Sequence, residues 1–208
     1  MTLTELLISM VVFTFIVGVT GAIYLAALRM YKEGFSGLTA HDNASLALAH
    51  LLPDVREAMD IIEPSTALQP TEPHVSDVLE YVLPRKDSTG HYFIDPTSPD
   101  GPLFWGTKVK VYLGDEYGNP DPDGTILWRV RSQIPLGSTS PPPYNYGSAE
   151  KIAEGITRVQ FEHPVTIYSP SHYKLWDHVR MTIVGTATMW HKTVEATESA
   201  ETAIRNHG

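Results

Sequence analysis

The 208-residue sequence contains no cysteine. A disulfide framework, a thiolate metal site and a cysteine nucleophile are therefore excluded. Basic residues are also scarce, because 15 Lys and Arg stand against 24 Asp and Glu, for a net charge of −9. Nucleic-acid binders depend on basic patches that meet phosphates, so we expect no nucleic-acid partner. No Ser/His/Asp arrangement, Walker loop or dinucleotide fingerprint is present, and we expect no enzymatic activity.

Charge is absent altogether from residues 6–28. A helix of that length, at about 1.5 Å per residue, is long enough to span a bilayer. We therefore interpret residues 1–32 as an apolar transmembrane helix. A cleavable signal peptide would have a basic stretch before a shorter apolar core. The first bases, Arg29 and Lys32, follow the run instead, which contradicts the positive-inside rule for an exported domain unless a basic leader once preceded Met1.

One acid, Glu5, lies at the start of this apolar run. A carboxylate near the apolar end of a membrane helix is costly unless it is paired or functional. The nearest positive group is the α-amine of Met1, either in the same chain or in a neighbouring one. If helices pack side by side with a small stagger, Glu5 of one subunit neutralises the amine of the next and sets the register.

The segment Met1-Thr2-Leu3-Thr4-Glu5-Leu6-Leu7 resembles the start of processed type IV pilins and type II secretion pseudopilins. Met1 stands where phenylalanine is usual, and Thr4 where isoleucine or valine is usual. The resemblance implies that a peptidase removes a short basic leader and methylates the new amine of Met1. It also implies that Glu5 guides docking into a helical filament.

The function implied by this resemblance is that of a structural subunit of an extracellular type IV pilus-like filament at the cell surface. Its partners would be copies of itself or other pilins, the inner membrane before assembly, and a pilus or secretion assembly platform. Three alternatives stay open. They are a minor pseudopilin of a type II secretion system, a membrane-anchored binding module, and a DNA-uptake pilin, which the negative charge disfavours.

Two glycines, Gly18 and Gly21, interrupt the apolar helix, and each costs up to about 1 kcal/mol relative to alanine. They favour either close packing between helices or local unwinding when the subunit leaves the bilayer. Residues 33–62 show apolar residues near helical spacing, and we predict that they form the amphipathic half of the same helix. Pro53 is expected to kink this half or to begin a second piece, and Pro64 to end it. This half looks like the J or W class of minor pilins.

The remainder, residues 63–208, is predicted to be a β-rich globular head. The predicted fold class is therefore α+β, with one long N-terminal helix packed on an antiparallel sheet, as in pilins. We also predict a short turn at residues 152–156 and a frayed end or strap over the last 16 residues or so. The predicted strands are 78–84 with its hairpin mate 91–94, the hairpin 108–113 with 125–131, and the strands 159–163 and 179–189.

One loop has a pattern that suits a metal. Residues 119–124, Asn119-Pro-Asp121-Pro-Asp123-Gly124, match the first half of an EF-hand loop. Val130 stands where the bidentate glutamate of such a loop belongs. The loop is either a hairpin turn or a weak calcium site completed by Asp115 or Glu116. No other cofactor is expected.

Overall fold

The computed structural model of the chain describes residues 2–64, 74–93, 104–135, 142–163, 167–168, 174–176, 178–189 and 192–204. These residues contain one long helix followed by a series of antiparallel strands. The elements are α1 (Leu3–Glu57), β1 (Asp60–Glu63), β2 (His74–Ser76), β3 (Leu79–Pro84), β4 (Trp105–Gly114), β5 (Ile126–Gln133), β6 (Glu150–Glu154), β7 (Ile156–His163), β8 (Ile167–Tyr168), β9 (Lys174–Trp176), β10 (His178–Met189) and β11 (Lys192–Ala203).

Helix α1 runs for 55 residues without a break. It continues through Pro53, so the predicted start of a second helical piece is wrong. The predicted end of the helix near residue 62 is also wrong, because α1 ends at Glu57. The backbone N–H of Met59 bonds to the carbonyl oxygen of Val82, which turns the chain into strand β1. Ala58 is buried where the helical face would continue, and so the apolar spacing up to this residue did not reveal the change. In β1, Ile61 is buried rather than Ile62, the position that a continued helix would bury.

The C-terminal half of α1 packs on the head through one face. The buried residues of this face are Ser36, Ala40, Ala44, Ala47, Leu48, Leu51 and Val55. They recur every three or four residues, as expected for one helical face, and most are small. Leu38 and Leu46, two apolar residues of the predicted amphipathic half, are exposed on other faces.

The strands form two larger sheets and one small pair. Sheet I has the order β1-β3-β4-β5-β6, sheet II has the order β11-β10-β7-β2, and β8 pairs with β9. The chain passes from sheet I to sheet II at Gly155, between β6 and β7, where φ is +66°. Apolar residues of α1 and of both sheets share one core. The α+β layout is thus confirmed, while the boundary at residue 32 between an apolar and an amphipathic part of the helix stays a prediction.

The predicted β4–β5 hairpin is confirmed, with Gly114 opposite Ile126. The predicted partner of β3 is wrong, since β3 pairs with β1 and β4. Tyr92 pairs with Lys86 in an isolated β-bridge outside the named strands, and residue 94 lies outside the described residues. Two strands also precede β3, which was expected to be the first.

Two segments that were expected to be irregular are strands. Residues 150–154 form β6 at the edge of sheet I, where a turn had been predicted. The polar tail forms β11, which pairs with β10 from Ala203 opposite His178 to Lys192 opposite Met189. Along β11 the more buried positions alternate with exposed ones, but alanine, threonine and glutamate occupy most of them. Low hydrophobicity therefore hid a regular strand pattern.

Candidate functional site: the projecting half of helix α1

The N-terminal half of α1 extends away from the head. Every residue from 2 to 27 is exposed, and none of the most apolar 18-residue window is buried. Phe13 and Phe15, for example, are 68% and 72% exposed. By length and composition this part of α1 qualifies as a membrane-crossing helix. A long apolar N-terminal helix of this kind is compatible with a membrane anchor.

Water is an unfavourable environment for such a surface. Burying one large apolar side chain contributes about 1.5–3 kcal/mol, so a dozen of them represent on the order of 20 kcal/mol. That figure exceeds the net stability of a typical domain, about 5–15 kcal/mol. Apolar residues lie on all faces of the helix, so contact with a single partner surface leaves much of it uncovered.

The tip of α1 is closed by a capping box. The Oγ1 atom of Thr2 accepts a hydrogen bond from the backbone N–H of Glu5 at 3.4 Å, and Oε2 of Glu5 accepts one from the N–H of Thr2 at 2.7 Å. This arrangement satisfies two of the backbone donors that a helix N-terminus leaves free. The Thr-x-x-Glu spacing is the sequence signal for such a cap, and it was missed because Glu5 was interpreted only through filament register.

The other residues predicted to act in this helix are distributed along it. Met1, the predicted site of processing and N-methylation, lies outside the described residues. Gly18 and Gly21 continue the helix, and a Cβ atom at either position would meet no other atom within 4 Å. Their side of the helix is therefore open to close approach by another chain, and local unwinding at these positions stays a prediction. Pro53 lies near the other end, on the exposed side of the helix.

Strand β11 runs along α1 from the base of the projecting half. Three side-chain contacts join the two elements: Glu33 with Lys192 at 2.8 Å, His41 with Glu198 at 2.7 Å and Arg56 with Thr202 at 3.3 Å. Between the first contact and the last, α1 advances roughly 35 Å and β11 roughly 33 Å. The strand therefore runs in the same direction as the helix and tethers it over most of its packed half.

A cluster of charges joins the end of α1 to sheet I. Asp54 Oδ2 accepts hydrogen bonds from Arg129 Nη1 at 2.7 Å and from Arg131 Nη2 at 3.1 Å. Arg129, whose side chain is only 9% exposed, also donates to Glu150 Oε2 at 2.8 Å. The Tyr81 hydroxyl donates to Asp54 at 3.4 Å, and burial, with the nearby Asp54 carboxylate, raises the pKa of Tyr81. No local pattern in the sequence pointed to this cluster, because its members come from α1, β3, β5 and β6.

In the candidate calcium loop, the carboxylates of Asp115 and Asp121 accept hydrogen bonds from within the loop. Asp115 Oδ1 accepts from the N–H groups of Tyr117 and Asn119, and Asp121 Oδ1 accepts from the N–H of Asp123. Hydrogen bonds to Asp115, first from the Asn119 side chain, lower the pKa of that carboxyl. In the part of the chain that the structure describes, no group of three His, Asp or Glu side chains is placed to hold a metal ion.

The structure thus places one long apolar helix on antiparallel sheets, an arrangement compatible with the pilin fold. The residues predicted to act at the tip of that helix and those of the candidate calcium loop lie in different parts of the molecule. No family model, curated protein or solved structure was found to match the chain.

Proposed function

We propose that this chain is a structural subunit of an extracellular, type IV pilus-like filament, assembled through packed N-terminal helices. The observation that carries the proposal is the exposure of the whole apolar half of α1 on a head that has its own core. Such a helix needs apolar cover on all sides. Acyl chains supply that cover before assembly, and a bundle of identical helices supplies it afterwards.

The packing of α1 supports this assignment. Small side chains and β11 hold the C-terminal half of α1 to the head. The projecting half is therefore firmly attached to the head of its own subunit. When the projecting halves pack together, the heads necessarily lie on the outside of the assembly. Burial of these apolar helices then supplies the cohesion of the filament.

The capping box supports a specific role for Glu5. Its carboxylate is already a hydrogen-bond acceptor for the N–H of Thr2, at the extreme end of the apolar helix. In the filament, the same carboxylate forms an ion pair with the positively charged amine of Met1 of an adjacent subunit. An ionic contact at one defined position of an apolar helix sets the register between neighbours.

The test separates the charge of Glu5 from its capping role. Glutamine also completes a capping box, so Glu5→Gln keeps the cap and removes only the charge. Thr2→Ala removes the capping oxygen and keeps the charge. We expect Glu5→Gln to remain in the membrane and to enter sheared filaments at no more than about one tenth of the wild-type level, which corresponds to a loss of about 1.4 kcal/mol. We expect Thr2→Ala to enter filaments at a level within about twofold of the wild type.

Incorporation is measured by immunoblotting the sheared filaments against the membrane fraction. Wild-type incorporation by Glu5→Gln would show that the charge does not set register. A wild-type chain that stays in the membrane and never enters filaments would favour the membrane-anchored binding module. Filaments built mainly of another pilin would make this chain a minor subunit, as in a secretion pseudopilus.

A further inference from the structure

A cleft lies where the projecting half of α1 leaves the head. Its volume is about 470 Å³, and it lies between one face of the helix and the end of the β10–β11 hairpin. The helix contributes residues spaced three or four positions apart, which therefore share a face. The lining residues used below are Leu25, Leu28, Arg29, Lys32, Met189 and Lys192.

The cleft has both apolar and positively charged walls. Leu25, Leu28 and Met189 provide apolar walls, and Arg29, Lys32 and Lys192 provide three positive charges. One acid, Glu33, also lines the cleft, and its Oε1 lies 2.8 Å from Nζ of Lys192. Among the lining residues, three bases and one acid sum to a charge of +2, whereas the net charge of the whole chain is −9. The cleft therefore suits a ligand that has an anionic head and an apolar body.

The position of the cleft along the axis of α1 matches the headgroup layer of a bilayer. The uncharged run ends at Leu28. Arg29 and Lys32 lie roughly 1.5 Å and 6 Å further along the helix axis. The headgroup layer on each side of the hydrocarbon core is about 5–7 Å thick. When the apolar run fills the core, these two bases therefore lie at the level of the lipid phosphates.

We propose that this cleft binds the phosphate headgroup of an anionic phospholipid while the chain is in the membrane. Arg29, Lys32 and Lys192 contact the phosphate, and the first carbons of an acyl chain lie against Leu25 and Leu28. Arginine suits this role because its planar guanidinium can bind phosphate with two hydrogen bonds. The proposal rests on the proposed function in one respect, namely that the chain resides in a bilayer before assembly.

Lys192 distinguishes this site from ordinary interfacial bases. Arg29 and Lys32 lie on a membrane helix, where basic side chains reach the interface without any built site. Lys192 comes from β11, 159 positions from its contact Glu33 in the sequence. The fold of the head brings it to the cleft. A lipid site made by the fold therefore depends on Lys192, whereas interfacial anchoring by the helix alone does not.

The test uses the full chain in neutral detergent micelles, titrated with phosphatidylglycerol or phosphatidylcholine. Native mass spectrometry measures the lipid retained per chain. We expect the wild type to retain phosphatidylglycerol at least about tenfold more tightly than phosphatidylcholine, and Lys192→Gln to weaken that binding about fivefold. Glu33→Gln removes the competing acid, and we expect it to strengthen binding by a similar factor. Lys151→Gln, at an exposed lysine that pairs with Glu154 elsewhere on the head, should change nothing.

The two variants at the ion pair separate binding from structure. Both break the Glu33–Lys192 contact, so a structural effect would move them in the same direction, and such a result would overturn the proposal. Equal retention of the two lipids by the wild type would also overturn it. So would displacement of the lipid by an equal concentration of glycerol phosphate, because the site would then take the free anion.

A vesicle experiment distinguishes failure of the lipid-site proposal from failure of the proposed function. If the chain enters neither phosphatidylcholine vesicles nor mixed vesicles with phosphatidylglycerol, the membrane stage of the proposed function falls, and the lipid site falls with it. If the chain enters both kinds of vesicle but retains no phosphatidylglycerol in micelles, only the lipid site falls.

Discussion

The carbonyl oxygen of Ala40 lies directly against Gly185. A Cβ atom at position 185 would be 2.1 Å from that oxygen and 3.2 Å from Cβ of Ala44. Helix α1 and strand β10 therefore approach each other backbone to backbone, through a glycine on the strand and alanines on the helix. This contact positions the base of the projecting half on the head.

Gly185→Ala is expected to destabilise the head by about 2–3 kcal/mol, because neither backbone can yield easily to the added methyl group. Gly34→Ala is the matched control, since position 34 lies in α1 and a Cβ atom there would meet nothing within 4 Å. That control should be neutral or stabilise by up to about 1 kcal/mol. Urea denaturation of the full chain in detergent measures both. A Gly185→Ala variant as stable as the wild type would show that the contact is loose.

Asp54→Asn is expected to cost about 2–3 kcal/mol of folding stability. The substitution removes the charge that faces Arg129 and Arg131, and Arg129 is nearly buried. Arg129 then keeps only the exposed Glu150 carboxylate as an ionic partner, and removing one partner of a nearly buried charge is strongly destabilising. Glu201→Gln is the control, because its partner Arg180 is exposed and such pairs contribute less than about 1 kcal/mol. Equal effects of the two variants in urea denaturation would contradict the special role of Asp54.

The same cluster predicts an acid-dependent stability. The hydrogen bond from Arg129 lowers the pKa of Glu150 below its ordinary value of 4.5. A carboxyl whose pKa is lowered by folding contributes stability above the ordinary pKa, and that contribution is lost as the pH falls through the folded value. The difference in unfolding free energy between the wild type and Glu150→Gln should therefore be constant from about pH 6 to 8 and shrink below about pH 4.5. A difference that stays the same at about pH 3 would rule out this linkage.

The contact between α1 and β11 can be locked by a disulfide. A Cβ atom at Gly37 would lie 4.0 Å from Cγ1 of Val194, and the chain has no cysteine to compete. The pair Gly37→Cys with Val194→Cys should form a disulfide on oxidation and raise the stability by about 2–4 kcal/mol. Gly37→Cys with Glu195→Cys is the control, because Glu195 lies on the opposite face of β11. Disulfide formation is measured by non-reducing electrophoresis. If the control pair formed a disulfide as readily as the first pair, the alignment of β11 along α1 would be refuted.

The loop at residues 115–124 is expected to act as a turn. Asp115 accepts the backbone N–H groups of Tyr117 and Asn119, and Asp121 accepts that of Asp123, which are the hydrogen bonds of an Asx-type turn. Addition of about 5 mM calcium, above the roughly 10⁻³ M dissociation constants of weak extracellular sites, should leave the Tm unchanged. Asp115→Ala should lower the Tm with or without calcium. A calcium-dependent rise that Asp121→Asn abolishes would instead support a metal site.

The long helix and several strands were predictable because each has a strong local pattern. The uncharged run and the alternation in β4, β5, β7 and β10 report directly which side chains face an apolar environment. The end of α1, strand β6 and strand β11 were not predictable in this way. Ala58 is buried where a longer helix would also bury it, and β11 buries mainly small or polar residues against the helix.

The sequence by itself determined that this chain carries a helix able to cross a membrane, with one acid at its tip and its first bases after the apolar run. Only the tertiary structure decided how that helix is held and what surrounds its base. The Asp54–Arg129 contact joins residues 75 positions apart, and the Glu33–Lys192 contact joins residues 159 positions apart. Local periodicity carries no information about such pairs, because the pairing of distant strands and the direction of β11 along α1 bring them together.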